Sequence, residues 1–146
     1  MKIFIDADGC PVVDITVQIA KKNSIECIII CDTSHVFNKD GAQTITVSKG
    51  ADSVDFALVN MLKSDDIAIT QDYGLAAMCL AKAAKVISQD GMVYDSTNID
   101  ALLMQRYTAK KIRMAGGRIS GNAKRTTAQN EKFKAALQKM IEEVRI

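Results

Sequence analysis

Three aspartates follow two short apolar runs at the point where each run ends. Asp6 and Asp8 come after residues 3–5, and Asp72 comes after residues 67–70. Short apolar runs of this kind are typical of strands buried in a parallel sheet. Carboxylates just beyond the carboxyl ends of such strands lie where open α/β sheets bind ligands. We therefore expect Asp6, Asp8 and Asp72 to meet at one edge of a sheet.

Two further aspartates, Asp52 and Asp55, are three residues apart on a predicted helix, so they share one face near its start. Together with the strand-end acids they offer the hard oxygen ligands that suit Mg²⁺ or Mn²⁺. The sequence contains no His or Cys cluster with the spacing of a zinc site. Each acid also has a simpler interpretation as a helix cap, Asp52 in a first helical turn and Asp72 ahead of the next helix.

The elements that must position these acids alternate along the chain. Apolar runs predict strands at 3–5, 25–31, 43–47, 66–70, 85–87 and 92–94. Helical spacing predicts helices at about 11–22, 50–62, 73–84 and 98–115, and a last helix that includes 133–144. This alternation favours an α/β three-layer sandwich with a mainly parallel sheet and right-handed crossovers.

The length of 146 residues fits a single domain, in which residues from about 98 form a basic helix-loop-helix extension. A hydrophobic share of 48% is normal for a soluble globular protein. No apolar run reaches the ~20 residues of a membrane span, and no signal-peptide pattern precedes the first strand. We therefore expect a cytoplasmic protein without membrane contact. The single histidine, His35, lies in a polar connection, and we expect it to be neither ligand nor base.

Charge separates the two parts of the chain. Residues 1–100 hold eight Lys or Arg and fourteen Asp or Glu, whereas residues 101–130 hold seven cations and no acid. The seven cations are Arg106, Lys110, Lys111, Arg113, Arg118, Lys124 and Arg125. Their clustering resembles a phosphate-binding surface. A solvated face is the more common role of single helical cations, but Arg118, Lys124 and Arg125 beside the Gly-rich loop favour anion contact.

The last predicted helix carries an apolar stripe. Its members are Phe133, Ala136, Leu137, Met140, Ile141 and Val144. Such a stripe packs against other apolar surface. The sequence leaves open whether this surface belongs to the same domain or to a second subunit in a homodimer.

Three motifs resemble those of a known family. Asp-Ala-Asp-Gly-Cys-Pro-Val at 6–12, Thr-Gln-Asp-Tyr-Gly-Leu-Ala at 70–76 and Gly-Gly-Arg-Ile-Ser-Gly at 116–121 look like the YaiI/YqxD family of bacterial proteins. The resemblance covers essentially the whole chain. That family is similar in turn to PIN-like and NYN-type metal-dependent ribonucleases, and Lys49-Gly50-Ala51-Asp52 looks like the Lys-Gly-x-Asp segment of NYN domains.

The resemblance implies a metal-dependent nuclease that hydrolyses phosphodiester bonds, in RNA, with Mg²⁺ or Mn²⁺ as cofactor. By the same pattern Asp6, Asp72 and the Asp52/Asp55 pair fall on metal-binding positions, and which member of the pair faces the site stays open. We expect Asp6, Asp55 and Asp72 to be catalytic and Asp8 to complete the set of metal ligands. The residues expected to bind the substrate backbone are Lys49, Arg113, Arg118, Lys124 and Arg125. Three Tyr, four Phe and no Trp leave little for base stacking, so the sequence favours sequence-tolerant backbone binding.

Two other functions compete with this interpretation. Asp6 to Cys10 also resembles the Asp-x-Asp-Gly-Thr start of haloacid dehalogenase-type phosphatases, in which the first Asp is a nucleophile. However, Pro11 leaves little room for the insertion that this family has after the motif. The family's late acid pair also follows a strand, whereas Asp65-Asp66 precedes its strand. A non-catalytic nucleic-acid-binding or interaction module on the same fold is the third possibility, because a fold alone does not determine activity.

Overall fold

The computed structural model describes residues 1–34, 37–50, 52–116 and 124–145. Its strands are β1 (Lys2–Asp6), β2 (Glu26–Asp32), β3 (Gln43–Val47), β4 (Ile67–Ile69), β5 (Lys85–Ile87) and β6 (Val93–Tyr94). Its helices are α1 (Val13–Lys22), α2 (Ser53–Met61), α3 (Tyr73–Ala81), α4 (Ile99–Met114) and α5 (Thr127–Arg145). The expectations for His35 and Arg118 concern residues outside the described ranges.

Helix α1 begins two residues later than its sequence pattern predicts. Cys10 donates a backbone hydrogen bond to the carbonyl of Ala7 at 3.0 Å, which closes a turn directly after the acidic motif. The chain adopts the helical direction only after this turn, so Pro11 precedes the helix and Val13 is its first residue. The position of α1 is therefore set by the turn that holds Asp8.

The six strands form one sheet in the order β3-β2-β1-β4-β5-β6. All neighbouring strands pair in parallel except β5 and β6, which are antiparallel. The chain moves outward from β1 through β2 to β3 and then returns to place β4 on the other side of β1. The carboxyl ends of β1 and β4 therefore border the crevice at which doubly wound sheets bind their ligands.

Helices cover both faces of the sheet. Because side chains alternate along a strand, Ile3 and Ile5 face one layer and Phe4 faces the other. The first layer contains α1 and α5, and the second contains α2 and α3 with the start of α4. The structure thus confirms the predicted three-layer α/β sandwich with a mainly parallel sheet and C-terminal helices.

Helix α5 completes the first layer. Phe133, Leu137, Met140 and Ile141 are buried in the same apolar cluster as α1. The side chains of Asn23 and Gln138 exchange two hydrogen bonds, at 3.0 and 3.2 Å, across the boundary between α1 and α5. Of the two interpretations left open by the sequence, packing within the domain is correct for these four residues, so this stripe is not available to a second subunit.

Membrane-spanning character is absent from every helix in the described part of the chain, since none combines the length and apolar composition that a span requires.

Candidate functional site

A cavity of about 470 Å³ opens at the carboxyl edge of the sheet, at the switch between β1 and β4. Six carboxylates line it, namely Asp6, Asp8, Asp32, Asp52, Asp55 and Asp72, together with Gly50, Val54 and Gln71. We call it the acidic cavity. The structure therefore brings all five aspartates singled out from the sequence around one space, and it adds a sixth.

The sixth carboxylate, Asp32, was missed by the sequence analysis. It is the last residue of β2, and its carboxylate accepts a hydrogen bond from the backbone N–H of Ser34 at 2.8 Å. The predicted strand stopped at residue 31, which assigned Asp32 to the following polar connection. The rule that found Asp6 and Asp72 would also have found Asp32 if the strand had been extended by one residue.

Thr70 connects the acids of β1 and α3. Its hydroxyl donates to Oδ2 of Asp6 at 2.8 Å and accepts from the backbone N–H of Asp72 at 3.0 Å. Thr70 is 2% exposed, and its carbonyl accepts a hydrogen bond from the Tyr94 hydroxyl at 3.2 Å. Its side chain therefore has one fixed orientation, and it holds the Asp6 carboxylate in place.

Burial and like charges act together on the acids of the cavity. The pKa of Asp6 is raised to about 6, mainly by desolvation and also by the charges of Asp55, Asp8 and Asp72, while the Thr70 hydrogen bond opposes these effects. The pKa of Asp55 is also raised, first by desolvation and then by Asp72 and Asp52. The cavity therefore favours any group that brings positive charge to it.

The helix-cap interpretation holds for one acid and not for another. Asp72 is the N-cap of α3, and its Oδ1 accepts from the backbone N–H groups of Gly74 and Leu75 at 2.8 and 3.1 Å. Asp52 occupies the N-cap position of α2 with φ +65°, yet within the described residues its side chain makes no capping hydrogen bond. Capping therefore does not account for Asp52, which faces the cavity instead.

Arg106 of α4 reaches the acidic cavity from the side. Its Nη1 lies 3.1 Å from Oδ1 of Asp72, and its charge lowers the pKa of Asp55 against the effect of burial. Gly74 leaves room for this approach, because a Cβ at this position would lie 2.9 Å from the same guanidinium nitrogen, which would then have to shift. Arg106 therefore pairs with an acid of the cavity, while its side chain remains 58% exposed.

A second cavity, of about 430 Å³, lies between α4 and the residues that open α3. Its lining residues are Gln71, Asp72, Tyr73, Gln105, Arg106, Ala109 and Arg113. We call it the basic cavity, since it contains two arginines and borders the acidic cavity at Asp72. Arg113, which was singled out from the sequence, therefore stands beside the acids.

Arg125 has a structural role that its sequence context did not reveal. Its guanidinium donates to Asp90 Oδ1 at 2.7 Å, to the Gln89 carbonyl at 2.6 Å and to Asn130 Oδ1 at 2.7 Å. These contacts join the start of α5 to the turn after β5, so the guanidinium is engaged in structural contacts, and its expected contact with a substrate anion stays a prediction. Lys124 and Lys49 are exposed, and neither is among the residues that line the described cavities.

The acidic cavity suits a divalent ion that keeps part of its water shell rather than one enclosed by side chains. Among residues 1–34, 37–50, 52–116 and 124–145, no three side chains of His, Cys, Asp or Glu are close enough together to enclose one ion. Mg²⁺ does not require such a cage, because it commonly keeps several waters and binds through one or two carboxylates plus substrate phosphates. The donor set fits that second mode of binding.

Fold and cavity together define an α/β protein with a doubly wound, mainly parallel sheet and an acidic cleft at its switch point. A sequence profile described as "Uncharacterized BCR, YaiI/YqxD family" matches residues 4–143. A UPF0178 protein of Exiguobacterium sibiricum is 48% identical over 143 residues, with 98% of both chains covered. One of Ruminiclostridium cellulolyticum is 50% identical over 137 residues, covering 94% of this chain and 90% of the relative. The chain belongs to the YaiI/YqxD family.

Among solved structures, a crystal structure of a single-residue mutant of Rae1 (YacP) from Bacillus subtilis is similar over 98% of this chain and 99% of that one. Its TM-score is 0.47 and its sequence identity 11%. At these values the similarity supports no statement about activity.

Proposed function

We propose that this protein is a divalent-metal-dependent nuclease that hydrolyses phosphodiester bonds in RNA. The observation that carries the proposal is the convergence of six carboxylates on one cavity at the switch point, with Arg106 and Arg113 in the adjoining basic cavity. The resemblance of the sequence motifs to PIN-like and NYN-type ribonucleases supports the same chemistry.

The roles of the residues follow from their positions. A bound Mg²⁺ or Mn²⁺ supplies a water activated for attack and stabilises charge on the leaving oxygen. Asp6 and Asp72, linked through Thr70, are the proposed ligands nearest the switch point, and Asp55 faces them from α2. Asp8 and Asp52 complete the acidic lining.

The arginines have the complementary role. Arg106 and Arg113 supply positive charge on one side of the acids, where the phosphates that flank the cleaved bond would bind. Arg106 is already paired with Asp72, so a phosphate or a metal ion must compete with an existing ion pair. This competition couples substrate binding to release of the Asp72 carboxylate.

The phosphatase interpretation has less support. Residues 7–12 alone connect β1 to α1, which leaves no space for an inserted element. Asp66 precedes β4 at the opposite edge of the sheet, where its carboxylate accepts the backbone N–H groups of Lys2 and Lys63, both at 2.8 Å. It therefore cannot act with Asp6, as a late acid of that mechanism must.

The proposal is tested by Mn²⁺ titration calorimetry and by cleavage of a single-stranded RNA, using the parent protein and Asp6→Asn. Asp65→Asn is the matched control, because Asp65 is exposed and lies at the amino end of β4. We expect Mn²⁺ binding and Mn²⁺-dependent cleavage in the parent and the control, and loss of both in Asp6→Asn. RNA binding without cleavage in the parent would instead favour the non-catalytic module, and accumulation of an aspartyl phosphate would favour the phosphatase.

A further inference from the structure

We propose that Phe56 is a stacking platform for one nucleobase of a single-stranded RNA whose backbone lies along α4; this inference rests on the proposed function. Phe56 is 59% exposed, so its ring is accessible to a planar partner. It lines a small cavity together with Asp52, Asp55 and Asp72, and the sequence composition gave no reason to expect stacking there.

The helix geometry brings Phe56 to the site. Asp52, Asp55 and Phe56 are spaced i, i+3 and i+4 at the start of α2, so their side chains share one face. The backbone N–H of Phe56 donates to the carbonyl of Asp52 at 3.0 Å, which fixes this first turn. Phe56 therefore lies at the start of α2 beside the two acids, and all three side chains line the same small cavity.

Phe56 also lines a small cavity that continues the acidic cavity. This space of about 180 Å³ is lined by Asp52, Asp55, Phe56, Asp72, Gly74, Met78 and Arg106. It is smaller than the 300–1,000 Å³ typical of pockets that hold a whole small-molecule ligand. A single planar group attached to a longer molecule fits this size better.

The chemistry of the lining favours a base over a phosphate. The carboxylates of Asp52 and Asp55 repel an anion, but they accept hydrogen bonds from the exocyclic amino group of a base, as carboxylates do with cytosine. The phosphates then fall on the opposite side of Asp72, where Arg106 and Arg113 line the basic cavity. Arg106 borders both spaces and stands where base and backbone would meet.

The experiment compares Phe56→Ala, Phe56→Tyr and the parent for binding of two probes by fluorescence anisotropy in EDTA. One probe is a short single-stranded oligocytidine RNA, and the other is an abasic ribose-phosphate oligomer of equal length and charge. Met61→Ala is the control, because Met61 is an exposed apolar residue on a different face of the same helix. Since Phe56 is exposed, the variants are expected to fold normally.

We expect Phe56→Ala to weaken binding of oligocytidine by roughly 5- to 100-fold, the effect of losing one stacked base, and to leave the abasic oligomer unchanged. Phe56→Tyr and Met61→Ala should bind both probes like the parent. Equal loss for both probes, or no loss for either, overturns the inference. A change in self-association on sedimentation with unchanged RNA binding would assign Phe56 to a protein interface instead.

The two proposals can fail separately. If the parent cleaves RNA with Mn²⁺ and Phe56→Ala binds both probes like the parent, the stacking inference fails and the nuclease stands. If the parent cleaves no RNA, but oligocytidine binding depends on Phe56, the nuclease proposal is wrong and the stacking inference is supported. If the parent binds neither probe, the stacking inference is wrong, and Mn²⁺-dependent cleavage alone decides the nuclease proposal.

Discussion

Two aspartates stand at opposite edges of the same sheet, and their partners differ. Asp66, at the amino edge, is 4% exposed, and its two oxygens accept backbone N–H groups at 2.8 Å. Asp6, at the carboxyl edge, accepts the Thr70 hydroxyl and faces further carboxylates. A position at a strand end therefore does not distinguish these two acids, whereas backbone N–H donors to both carboxylate oxygens distinguish Asp66 from Asp6.

Two arginines repeat the contrast. The guanidinium of Arg125 donates hydrogen bonds to Asp90, the Gln89 carbonyl and Asn130, and the side chain is only 20% exposed. Arg106 makes one ion pair and borders two cavities. Both belong to one basic segment of the sequence, so the charge pattern alone could not separate the structural arginine from the one at the cleft.

The largest effect on stability is expected for Asp66→Ala. Two backbone N–H groups lose a charged acceptor in a buried place, which should lower the free energy of unfolding by about 2–4 kcal/mol. Mn²⁺ affinity should not change at a temperature where the variant is folded. Urea unfolding measures the loss, and Asp65→Ala is the exposed control. A loss below about 0.5 kcal/mol would remove the distinction between the two edges.

Asp6→Asn should have the opposite effect and raise the free energy of unfolding. The folded-state pKa of Asp6 is raised from 3.8 to about 6, so between these values the folded protein binds a proton that the unfolded chain releases. The stability of the parent therefore falls as pH rises through this window. Metal-free Asp6→Asn should be more stable than the parent by about 1–3 kcal/mol above pH 6, and the gain should vanish near pH 4. Thermal melting in EDTA at several pH values tests this, and a pH-independent difference contradicts it.

Arg125→Ala should lower stability by about 1–3 kcal/mol, because Asp90 and the Gln89 carbonyl lose a charged, partly buried donor. Lys124→Ala, the neighbouring exposed cation, should change stability by less than about 0.5 kcal/mol. Denaturant unfolding of both variants gives the comparison. If the two variants are equally stable and Arg125→Ala binds RNA more weakly, Arg125 belongs to the substrate surface after all.

The smallest effect is expected for Arg106→Ala, which should lower RNA affinity and reduce its salt dependence by up to about one slope unit. Its partner Asp72 is partly exposed, so little stability should be lost. Lys111→Ala is the matched control, because Lys111 lies over the Tyr107 ring, with its Nζ 5.2 Å from the ring centroid. Equal salt slopes for parent and Arg106→Ala would show that Arg106 is bound to Asp72 alone.

The sequence predicted the sheet and most of the cleft because one rule applies to both. Apolar runs place strand ends, and strand ends place Asp6, Asp8 and Asp72. The orientation of the acids and the approach of Arg106 depend instead on contacts between residues far apart in sequence. Thr70 reaches Asp6 across 64 positions, and Arg106 reaches Asp72 across 34. No local pattern reports such distances.

The packing of α5 on α1 has a consequence for the order in which the protein can fold during synthesis. One face of the sheet can be covered by α2 and α3 as soon as those helices have been made. The other face needs Phe133, Leu137 and Ile141, which are synthesised after every strand and every other helix of the described chain. The part of that face covered by α5 therefore stays exposed on a nascent chain until α5 leaves the ribosome, and exposed apolar surface of this kind is prone to aggregation.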